Sequence, residues 1–546
     1  MSNDSPLSGG LARRDVIAMA AGVAAAAASG GIARAQVATA VTAAKTTNGP
    51  VAGLVYDGVQ TFKGVRYGAP PLGALRFAAP QKPTPWAEPA DASHFGAASM
   101  QLRSGGSAVT FPGTVGLALE QIYSTPDDVQ RQNEDCLFLN VWTQAASGAR
   151  PVMVWFHGGG FNYGSGSWPA YDGHNLAKRH DVVVVTVNHR LNAFGYLYLG
   201  DLGGDPNSGN AGQLDLIASL EWVRDNIASF GGDPGKVTIF GQSGGGAKVS
   251  TLMAMPAAKG LFHRAIVESG PGLRGVPKDM ATGTAKEVMA KLGIADSKAL
   301  QTVPAQALVD AATTLQTPGG LGLLRFAPVV DGINLAANPF DPVAPAQSAN
   351  IPVMIGCTKD EQTLYNVGMP WWGKLTEAEM TEKLKAQFGA KTDALIAAAK
   401  KANPADLPSY LYTDIVSKAF AFIGSVTLAE RKAAQNAAPV YMYIWNWGAP
   451  VDDGILRAPH TMEIGFAFDN IDKGPLLYGT APSTQKLAAV VSDSWVAFAR
   501  SGDPNTKDLP HWPAYDAATR ATMEFDLVSK IVNDPNEDVR KILMGA

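Results

Sequence analysis

Ser243 lies in a pattern that turns a serine into a nucleophile. Gly241-Gln242-Ser243-Gly244-Gly245 follows the pattern G-x-S-x-G. The apolar run Val237 to Phe240 before it predicts a buried strand, and the proline-free stretch Ala247 to Met255 after it predicts a helix. A serine on such a strand–turn–helix is held in a strained backbone with its oxygen exposed at the top of a sheet. Ser243 is therefore the predicted nucleophile.

A serine that attacks a carbonyl also needs backbone donors for the oxygen that becomes negative. The run His157-Gly158-Gly159-Gly160-Phe161 directly follows a predicted strand and is typical of the loop that supplies them. We predict Gly159, Gly160 and Gly244 as the donors. The alternatives are a flexible turn or a phosphate loop. A phosphate loop would continue with Lys-Ser or Lys-Thr, but this chain continues with Asn162 after Phe161.

The base that takes the proton of Ser243 is predicted to be a histidine that follows it in the chain. Of the eight histidines, only His460 and His511 follow Ser243 by a long enough interval, because His263 lies just before the next strand. His511 lies in a proline-rich loop typical of the surface. His460 follows the predicted strand Val440 to Trp445, and a parallel sheet places functional groups in such loops. His460 is the predicted base.

Two carboxyl groups could orient that histidine. Asp360 and Glu361 follow the apolar run Val353 to Ile355, a third predicted strand. Acidic residues at a strand end also cap the next helix, so one of the two is expected to do only that. Their spacing leaves both open as the acid.

The elements that must position these residues alternate between strands and helices. Predicted helices include Gln213 to Ala228 and Ser483 to Arg500, with Ser483 as an N-cap. The six strands are predicted from apolar runs: Val152 to Phe156, Val182 to Val187, Val237 to Phe240, Ala265 to Val267, Val353 to Ile355 and Val440 to Trp445. This order predicts an α/β fold with a mainly parallel sheet that helices cover on both faces. Residues 36–546 are expected to form one domain, with helical insertions over residues 271–350 and 362–438 that roof the sheet.

Composition limits the function classes. The chain has 546 residues, 46% of them hydrophobic, and a formal charge of -4. Without a long charged run, nothing indicates a nucleic-acid partner. Cys136 and Cys357 are the only cysteines, which excludes a disulfide framework. Two free, partly buried thiols are predicted, and a single bridge is the alternative. Serine chemistry requires neither a metal nor an organic cofactor, so none is predicted, and the expected partner is a small-molecule substrate.

Residues 1–35 are predicted to be a signal peptide of the twin-arginine type. Arg13 and Arg14 precede the apolar stretch Val16 to Ala28, and Ala33-Arg34-Ala35 offers the small residues that a signal peptidase recognises. The alternative, an uncleaved anchor, is disfavoured because a spanning helix needs about 20 apolar residues. Cleavage before Gln36 would give a periplasmic or secreted protein without stable membrane insertion.

Several further motifs, in order, resemble the type B carboxylesterase family of α/β-hydrolases, which includes para-nitrobenzyl esterases and cholinesterases. The resemblance spans nearly the whole mature chain and is carried by these segments: Phe62 to Pro71, Glu134 to Val141, Asn188 to Leu191, Phe230 to Pro234, and Gly502 to Asn505 with Trp512-Pro513. It implies an α/β-hydrolase fold and hydrolysis of esters through an acyl-enzyme.

The resemblance also implies roles for single residues. Its Thr-x-Asp-Glu motif lies on residues 358–361, which makes Glu361 the triad acid, and its histidine loop is similar to the segment that begins at His460. Its Gln-Ser-Gly serine corresponds to Ser269, whose hydroxyl supports the acid in the family. Two positions depart from the family. Gln242 replaces the usual glutamate, which makes choline-like substrates less expected, and Gly244 replaces the usual alanine.

Three aromatic residues near these motifs are candidates for the substrate pocket: Phe161, Trp371 and Trp372. Their alternative role is packing in the core or roof. As pocket residues they would favour a medium-sized, apolar or aromatic ester. Two other functions remain open at this stage. One is a catalytically inactive relative that acts as a binding protein, and the other is the same triad acting on an amide, lactone or carbamate.

Overall fold

The computed structural model describes residues 38–102, 113–124, 131–315 and 325–545. The predicted signal peptide, residues 1–35, lies outside these ranges. The strands are, in chain order: β1 (Ala40–Thr46), β2 (Gly49–Tyr56), β3 (Val59–Arg66), β4 (Ala90–Asp91), β5 (Phe138–Thr143), β6 (Arg150–Phe156), β7 (Val183–Val187), β8 (Gly232–Gln242), β9 (Arg264–Glu268), β10 (Val276–Pro277), β11 (Val329–Val330), β12 (Val353–Thr358), β13 (Val440–Trp445), β14 (Ala521–Phe525) and β15 (Lys530–Asn533).

The helices lie between and after these strands. They are, in chain order: α1 (Gly113–Tyr123), α2 (His174–His180), α3 (Asn192–Tyr196), α4 (Ala211–Asn226), α5 (Gly244–Ala254), α6 (Lys278–Lys291), α7 (Ala305–Thr313), α8 (Thr363–Asn366), α9 (Glu377–Phe388), α10 (Thr392–Ala402), α11 (Pro408–Ser417), α12 (Ile423–Ala433), α13 (Val451–Gly454), α14 (Ile464–Ala467), α15 (Pro475–Tyr478), α16 (Pro482–Ser501) and α17 (Glu537–Met544).

Within the described ranges, one 13-stranded sheet organises the molecule. Its order is β1-β2-β3-β5-β7-β6-β8-β9-β12-β13-β14-β15, with β4 beside β2. The run from β7 to β14 is parallel throughout, whereas β1, β2, β3, β5 and β15 pair in the antiparallel sense. The predicted mainly parallel α/β fold is confirmed, and all six predicted strands are present.

Strand β6 shows how the sheet is buried on both faces. Val152 and Val154 belong to one hydrophobic cluster, while Met153 and Trp155 belong to a second cluster on the opposite face. Successive side chains of a strand point to opposite faces, so each cluster is the interface between the sheet and one helical layer. A strand that is apolar on both sides is typical of a covered parallel sheet, which is why the apolar runs predicted these strands.

The start of α16 differs from the prediction. The helix begins with Pro482, and Ala481 is its N-cap, so the prediction of Ser483 as N-cap was wrong. Proline fits the first turn because its fixed φ is already helical and its missing N–H would have no partner there. Proline therefore sets this helix start ahead of the serine.

The two predicted insertions pack in different ways. In residues 271–350, α6 and α7 bury side chains in a cluster that also contains Phe161. In residues 362–438, α9, α10 and α11 form a separate cluster, whereas α12 packs directly against β12 and β13. The second stretch is therefore partly a roof and partly a member of the layer that flanks the sheet.

A π-helical turn, Lys418–Phe422, joins α11 to α12. Among the described residues, the resulting run Pro408–Ala433 alone has the length and apolarity of a membrane span, and 72% of its most apolar window is buried inside the protein, as in a core helix. Single π turns inside helices are frequent at functional sites. This one carries Phe420, whose position is described below.

Candidate active site

The predicted site residues follow strands that end at one edge of the sheet. Parallel pairing sets Gln242 at the end of β8 beside Glu268 at the end of β9, and Thr358 at the end of β12 beside Trp445 at the end of β13. The carboxyl ends of neighbouring parallel strands meet at the same edge. The loops with the predicted nucleophile, acid and base therefore converge there.

Ser243 has the strained backbone that its sequence pattern predicts. Its φ is 58° and its ψ is -125°, directly before α5, and its side chain is partly exposed. Its N–H donates to the carbonyl oxygen of Glu268 at 2.7 Å. The turn requires a glycine two residues later, because a Cβ on Gly245 would lie 2.0 Å from the carbonyl oxygen of Phe156. The hydroxyl is thus held at the tip of a tight, positive-φ turn.

The glycine loop after β6 lies against this turn. Gly159 and Gly160 have φ values of 83° and 60°. A Cβ on Gly244 would lie 2.0 Å from the carbonyl oxygen of Gly160, so the two segments with the predicted donors are in backbone contact. A Cβ on Gly158 would lie 3.4 Å from the Cβ of Ser243, so the same loop borders Ser243.

His460 and Glu361 form a buried hydrogen-bonded pair. His460 Nδ1 bonds to Glu361 Oε2, and the other oxygen of Glu361 accepts the N–H of Thr358 at 2.8 Å. The main chains are joined as well, because the N–H of His460 donates to the carbonyl oxygen of Glu361 at 3.2 Å. A proton on Nδ1 leaves Nε2 free to accept one from a hydroxyl. Asp360 instead accepts the N–H of Ala458 at 3.3 Å.

This pair lies beside the residue that precedes Ser243. The side-chain nitrogen of Gln242 is 3.3 Å from both ring nitrogens of His460. Two aromatic rings flank the imidazole, with centroid distances of 5.8 Å for Tyr365 and 5.6 Å for Phe420. Sequence reasoning missed both rings, because neither α8, which carries Tyr365, nor the π turn, which carries Phe420, has a recognisable motif.

Two further carboxyl groups are buried behind the pair. Ser269 donates to Glu463 Oε1 at 3.1 Å, and Trp495 Nε1 donates to Glu268 Oε1 at 2.8 Å. Burial raises the pKa of Glu268 to about 7, although the bond from Trp495 opposes the shift. Burial, together with the charges of Glu268 and Glu361, raises the pKa of Glu463 well above its ordinary value.

Ser269 is therefore bonded to Glu463 rather than to Glu361. Any effect of its hydroxyl on Glu361 would pass through Glu463, whose buried carboxyl group interacts electrostatically with Glu361. Glu463 itself lies in the segment that resembles the family's histidine loop, three positions after His460. That position was the only sequence signal for its presence near the site.

The three predicted pocket aromatics pack against other aromatics. Phe161 is 2% exposed and its ring centroid is 5.1 Å from that of Tyr196. The ring centroid of Trp371 is 5.4 Å from that of Tyr412, and the ring centroid of Trp372 is 4.8 Å from that of Tyr410. These contacts agree with the packing alternative, and a pocket role for the three residues stays a prediction.

The two cysteines are buried and unpaired, which confirms the predicted free thiols. Burial raises the pKa of both Cys136 and Cys357, so both remain protonated. Across residues 38–102, 113–124, 131–315 and 325–545, no three His, Cys, Asp or Glu side chains form a group that could hold a metal ion.

The fold and this edge of the sheet define an α/β-hydrolase with Ser243 on the positive-φ turn between β8 and α5. The sequence pattern of the carboxylesterase family matches residues 40–541, and the chain belongs to that family. It is a serine hydrolase of carboxylic esters.

Individual relatives agree with this assignment. The para-nitrobenzyl esterase of Bacillus subtilis (strain 168) is 36% identical over 507 residues, which cover 91% of this chain and 97% of that protein. The phenmedipham hydrolase of Pseudarthrobacter oxydans is 32% identical over 512 residues, covering 92% and 97%. A crystal structure of a Geobacillus stearothermophilus carboxylesterase superposes with a TM-score of 0.79 at 36% identity, covering 92% of this chain and 99% of that one.

Proposed function

We propose that Ser243, His460 and Glu361 form the catalytic triad of this esterase. His460 Nε2 takes the proton of the serine hydroxyl as its oxygen attacks the ester carbonyl. Glu361 holds the Nδ1 proton and stabilises the imidazolium that results. The imidazolium then gives the proton to the departing alcohol, and the acyl group remains bound to Ser243 as an acyl-enzyme. Water then attacks the acyl group as His460 Nε2 takes its proton, and the imidazolium returns that proton to the oxygen of Ser243 as the acid leaves.

The negative oxygen of each tetrahedral intermediate is bound by the N–H groups of Gly159, Gly160 and Gly244. This part of the proposal is supported by the backbone contact between Gly160 and Gly244. Donors that are fixed before the reaction stabilise the developing charge without reorganisation, and loss of one typically costs ~10²–10³ in turnover.

One observation carries the proposal. The Glu361–His460 pair is buried beside Gln242, the residue that precedes the positive-φ serine. A buried imidazole that bonds a carboxylate through Nδ1 has a general base at its other nitrogen.

Replacement of Ser243 by alanine tests the nucleophile. We expect turnover of a para-nitrophenyl ester to fall by ~10⁴–10⁶, because no other group supplies the attacking oxygen. A fluorophosphonate probe should label the wild type once and leave Ser243→Ala unlabelled. Ser250→Ala is the matched control. Ser250 is a buried serine of α5, the helix that follows Ser243, and its hydroxyl donates to the carbonyl oxygen of Gly246. Ordinary turnover by Ser243→Ala would end the proposal.

We propose a medium-sized, uncharged ester, apolar or aromatic, as the substrate. Tyr365 and Phe420 flank His460 with apolar rings, and Gln242 adds a neutral amide where a carboxylate would attract cations. A panel of para-nitrophenyl esters of rising acyl length tests this. The panel includes a choline ester and phenmedipham, the latter because one relative is a hydrolase of that name. A preference for the choline ester would contradict the proposal.

We also propose that residues 1–35 direct export by the twin-arginine route and are then removed. Arg13-Arg14, the apolar stretch after them and Ala33-Arg34-Ala35 support this, and the match to the family begins after them, at residue 40. Expression in a bacterial host should yield periplasmic enzyme whose first residue is Gln36. Replacement of both Arg13 and Arg14 by lysine should retain it in the cytoplasm. Unchanged export of that variant would contradict the twin-arginine assignment.

A further inference from the structure

Lys248 is a buried lysine on the helix that begins at the nucleophile. It lies five residues after Ser243 in α5, and its exposure is 0%. Its Nζ donates to the carbonyl oxygen of His157 at 2.8 Å and lies 5.6 Å from the ring centroid of Phe161. The backbone of Lys248 thus belongs to the helix that follows Ser243, while its side chain reaches the start of the glycine loop after β6.

Two buried histidines, His157 and His189, lie near Lys248. The rings of His157 and His189 lie 4.8 Å apart, and burial, together with the nearby lysine, lowers the pKa of both well below the ordinary value. Burial alone lowers the pKa of Lys248. Burying an amine without a carboxylate partner is costly, and an apolar side chain of similar volume would stabilise the fold better. The contribution of this lysine is therefore to be sought in the loop that it contacts.

That loop must be held at one position relative to α5. Gly159 and Gly160 belong to the loop and Gly244 to the helix, so the three N–H groups come from two distant chain segments. Donors act only if they lie within about 0.5 Å of the productive geometry. His157 also fixes the next peptide, because its Nδ1 is 2.9 Å from the carbonyl oxygen of Gly158, and that peptide contains the N–H of Gly159.

We propose that Lys248 is a positioning residue of the oxyanion hole. Its bond to His157 ties the helix that begins with Gly244 to the loop with Gly159 and Gly160. The inference rests on the proposed function, since it takes these three N–H groups as the oxyanion donors. Lys248 touches neither substrate nor the reacting atoms and acts only through the loop.

Lys248→Met tests this role, because methionine fills a similar volume without a donor. We expect kcat to fall about tenfold with KM within about twofold of the wild type, because a small displacement of the donors weakens only the transition state. The affinity for a trifluoromethyl ketone, which forms a tetrahedral adduct with serine, should fall by the same factor. Inhibition by the product acid should be unchanged.

Lys432→Met is the matched control. Lys432 is also fully buried and donates to a main-chain carbonyl, that of Ala349 at 2.7 Å, but it lies in α12, away from the glycine loop. Its loss should lower the melting temperature and leave kcat unchanged. If Lys248→Met does not fold, Lys248→Gln takes its place, since its shorter side chain keeps a donor that cannot reach as far. We expect kcat and ketone affinity to fall together in that variant too.

An unchanged kcat in a folded Lys248 variant would overturn the inference, and so would an equal loss of kcat in Lys432→Met. The outcome is separable from that of the proposed function. Full turnover by Ser243→Ala would refute the triad whatever Lys248 does. An inactive Ser243→Ala together with a normal Lys248→Met would leave the triad intact and remove only the role of the lysine.

Discussion

Ser243 lies between two buried polar regions of opposite chemistry. The acidic side consists of three carboxyl groups from the ends of β9 and β12 and from the loop after β13: Glu268, Glu361 and Glu463. The basic side consists of three groups from the loops after β6 and β7 and from α5: His157, His189 and Lys248. The side chains on both sides are almost inaccessible to solvent.

The difference between the two sides matches the charges of the proposed reaction. Positive charge would develop on His460, which bonds to the acidic side, and negative charge on the oxyanion, beside the loop that the basic side holds. In a water-poor interior such fixed groups act more strongly than at a surface. The acidic side would work by charge through Glu361, whereas the basic side would work by fixing neutral amide donors. Substitutions on the acidic side should therefore act through lost charge, and substitutions on the basic side through displaced donors.

Glu361→Gln should have the largest effect of the substitutions on either side. The amide keeps the shape of Glu361 but neither fixes the Nδ1 proton of His460 nor stabilises the imidazolium, so we expect kcat to fall by ~10³–10⁴. Steady-state kinetics with a para-nitrophenyl ester measure this. Asp360→Asn is the control, because its carboxylate bonds to the N–H of Ala458 instead of the histidine. Equal losses in both variants would remove the distinction between the two carboxylates.

Gly244→Ala should weaken the other side by a smaller factor. Alanine is the residue usual in the family at this position, but with the backbone of this chain the new Cβ would lie 2.0 Å from the carbonyl oxygen of Gly160, so the glycine loop must move away from the serine turn. We expect kcat to fall by ~10². Gly283→Ala is the control, because a Cβ at that helical glycine meets no atom within 4 Å. Undiminished kcat in Gly244→Ala would show that the close contact between loop and helix is not required.

Glu268→Gln should change stability more than rate, and the change should depend on pH. The pKa of Glu268 is raised to about 7 in the folded protein, above the ~4.3 of an unfolded chain. Between these values only the folded state holds the proton, so the stability of the wild type falls as pH rises through this window. The variant lacks this loss. Its stability relative to the wild type should rise by roughly 1–3 kcal/mol from pH 4.5 to pH 8.

Urea denaturation midpoints of both proteins at pH 4.5, 6 and 8 measure this effect. Parallel profiles would show that the carboxyl group does not gain a proton on folding. If the variant instead lost stability relative to the wild type as pH rises, the pKa of Glu268 would be lowered by folding rather than raised.

The sequence was sufficient for the parts of the site that local patterns determine. Apolar runs predicted the strands, and the glycines around Ser243 predicted its turn, because a positive-φ turn between strand and helix demands those residue types. The choice between Asp360 and Glu361 could not come from spacing. Both follow the same strand, and only the backbone path directs Glu361 to His460 and Asp360 to Ala458.

Other features depend on contacts between distant segments. Lys248 is a charged residue within a helical pattern, and no local signal shows that its side chain is buried under a loop about ninety positions earlier. Tyr365 and Phe420 come from residues 362–438, where no sequence pattern indicates which side chains approach His460. The start of α16 was mispredicted because Pro482 competes with Ser483 for the same end.

The π turn between α11 and α12 determines which side chain faces the imidazole. The π turn holds one residue more than an α-helical turn would. The helices before and after it can therefore each keep their own packing, while the ring of Phe420 lies beside that of His460. Deletion of one residue there would rewind the coil and rotate that ring by roughly 100° about the helix axis. The identity of the ring beside this face of the imidazole is thus set by the number of residues in the turn as much as by their types.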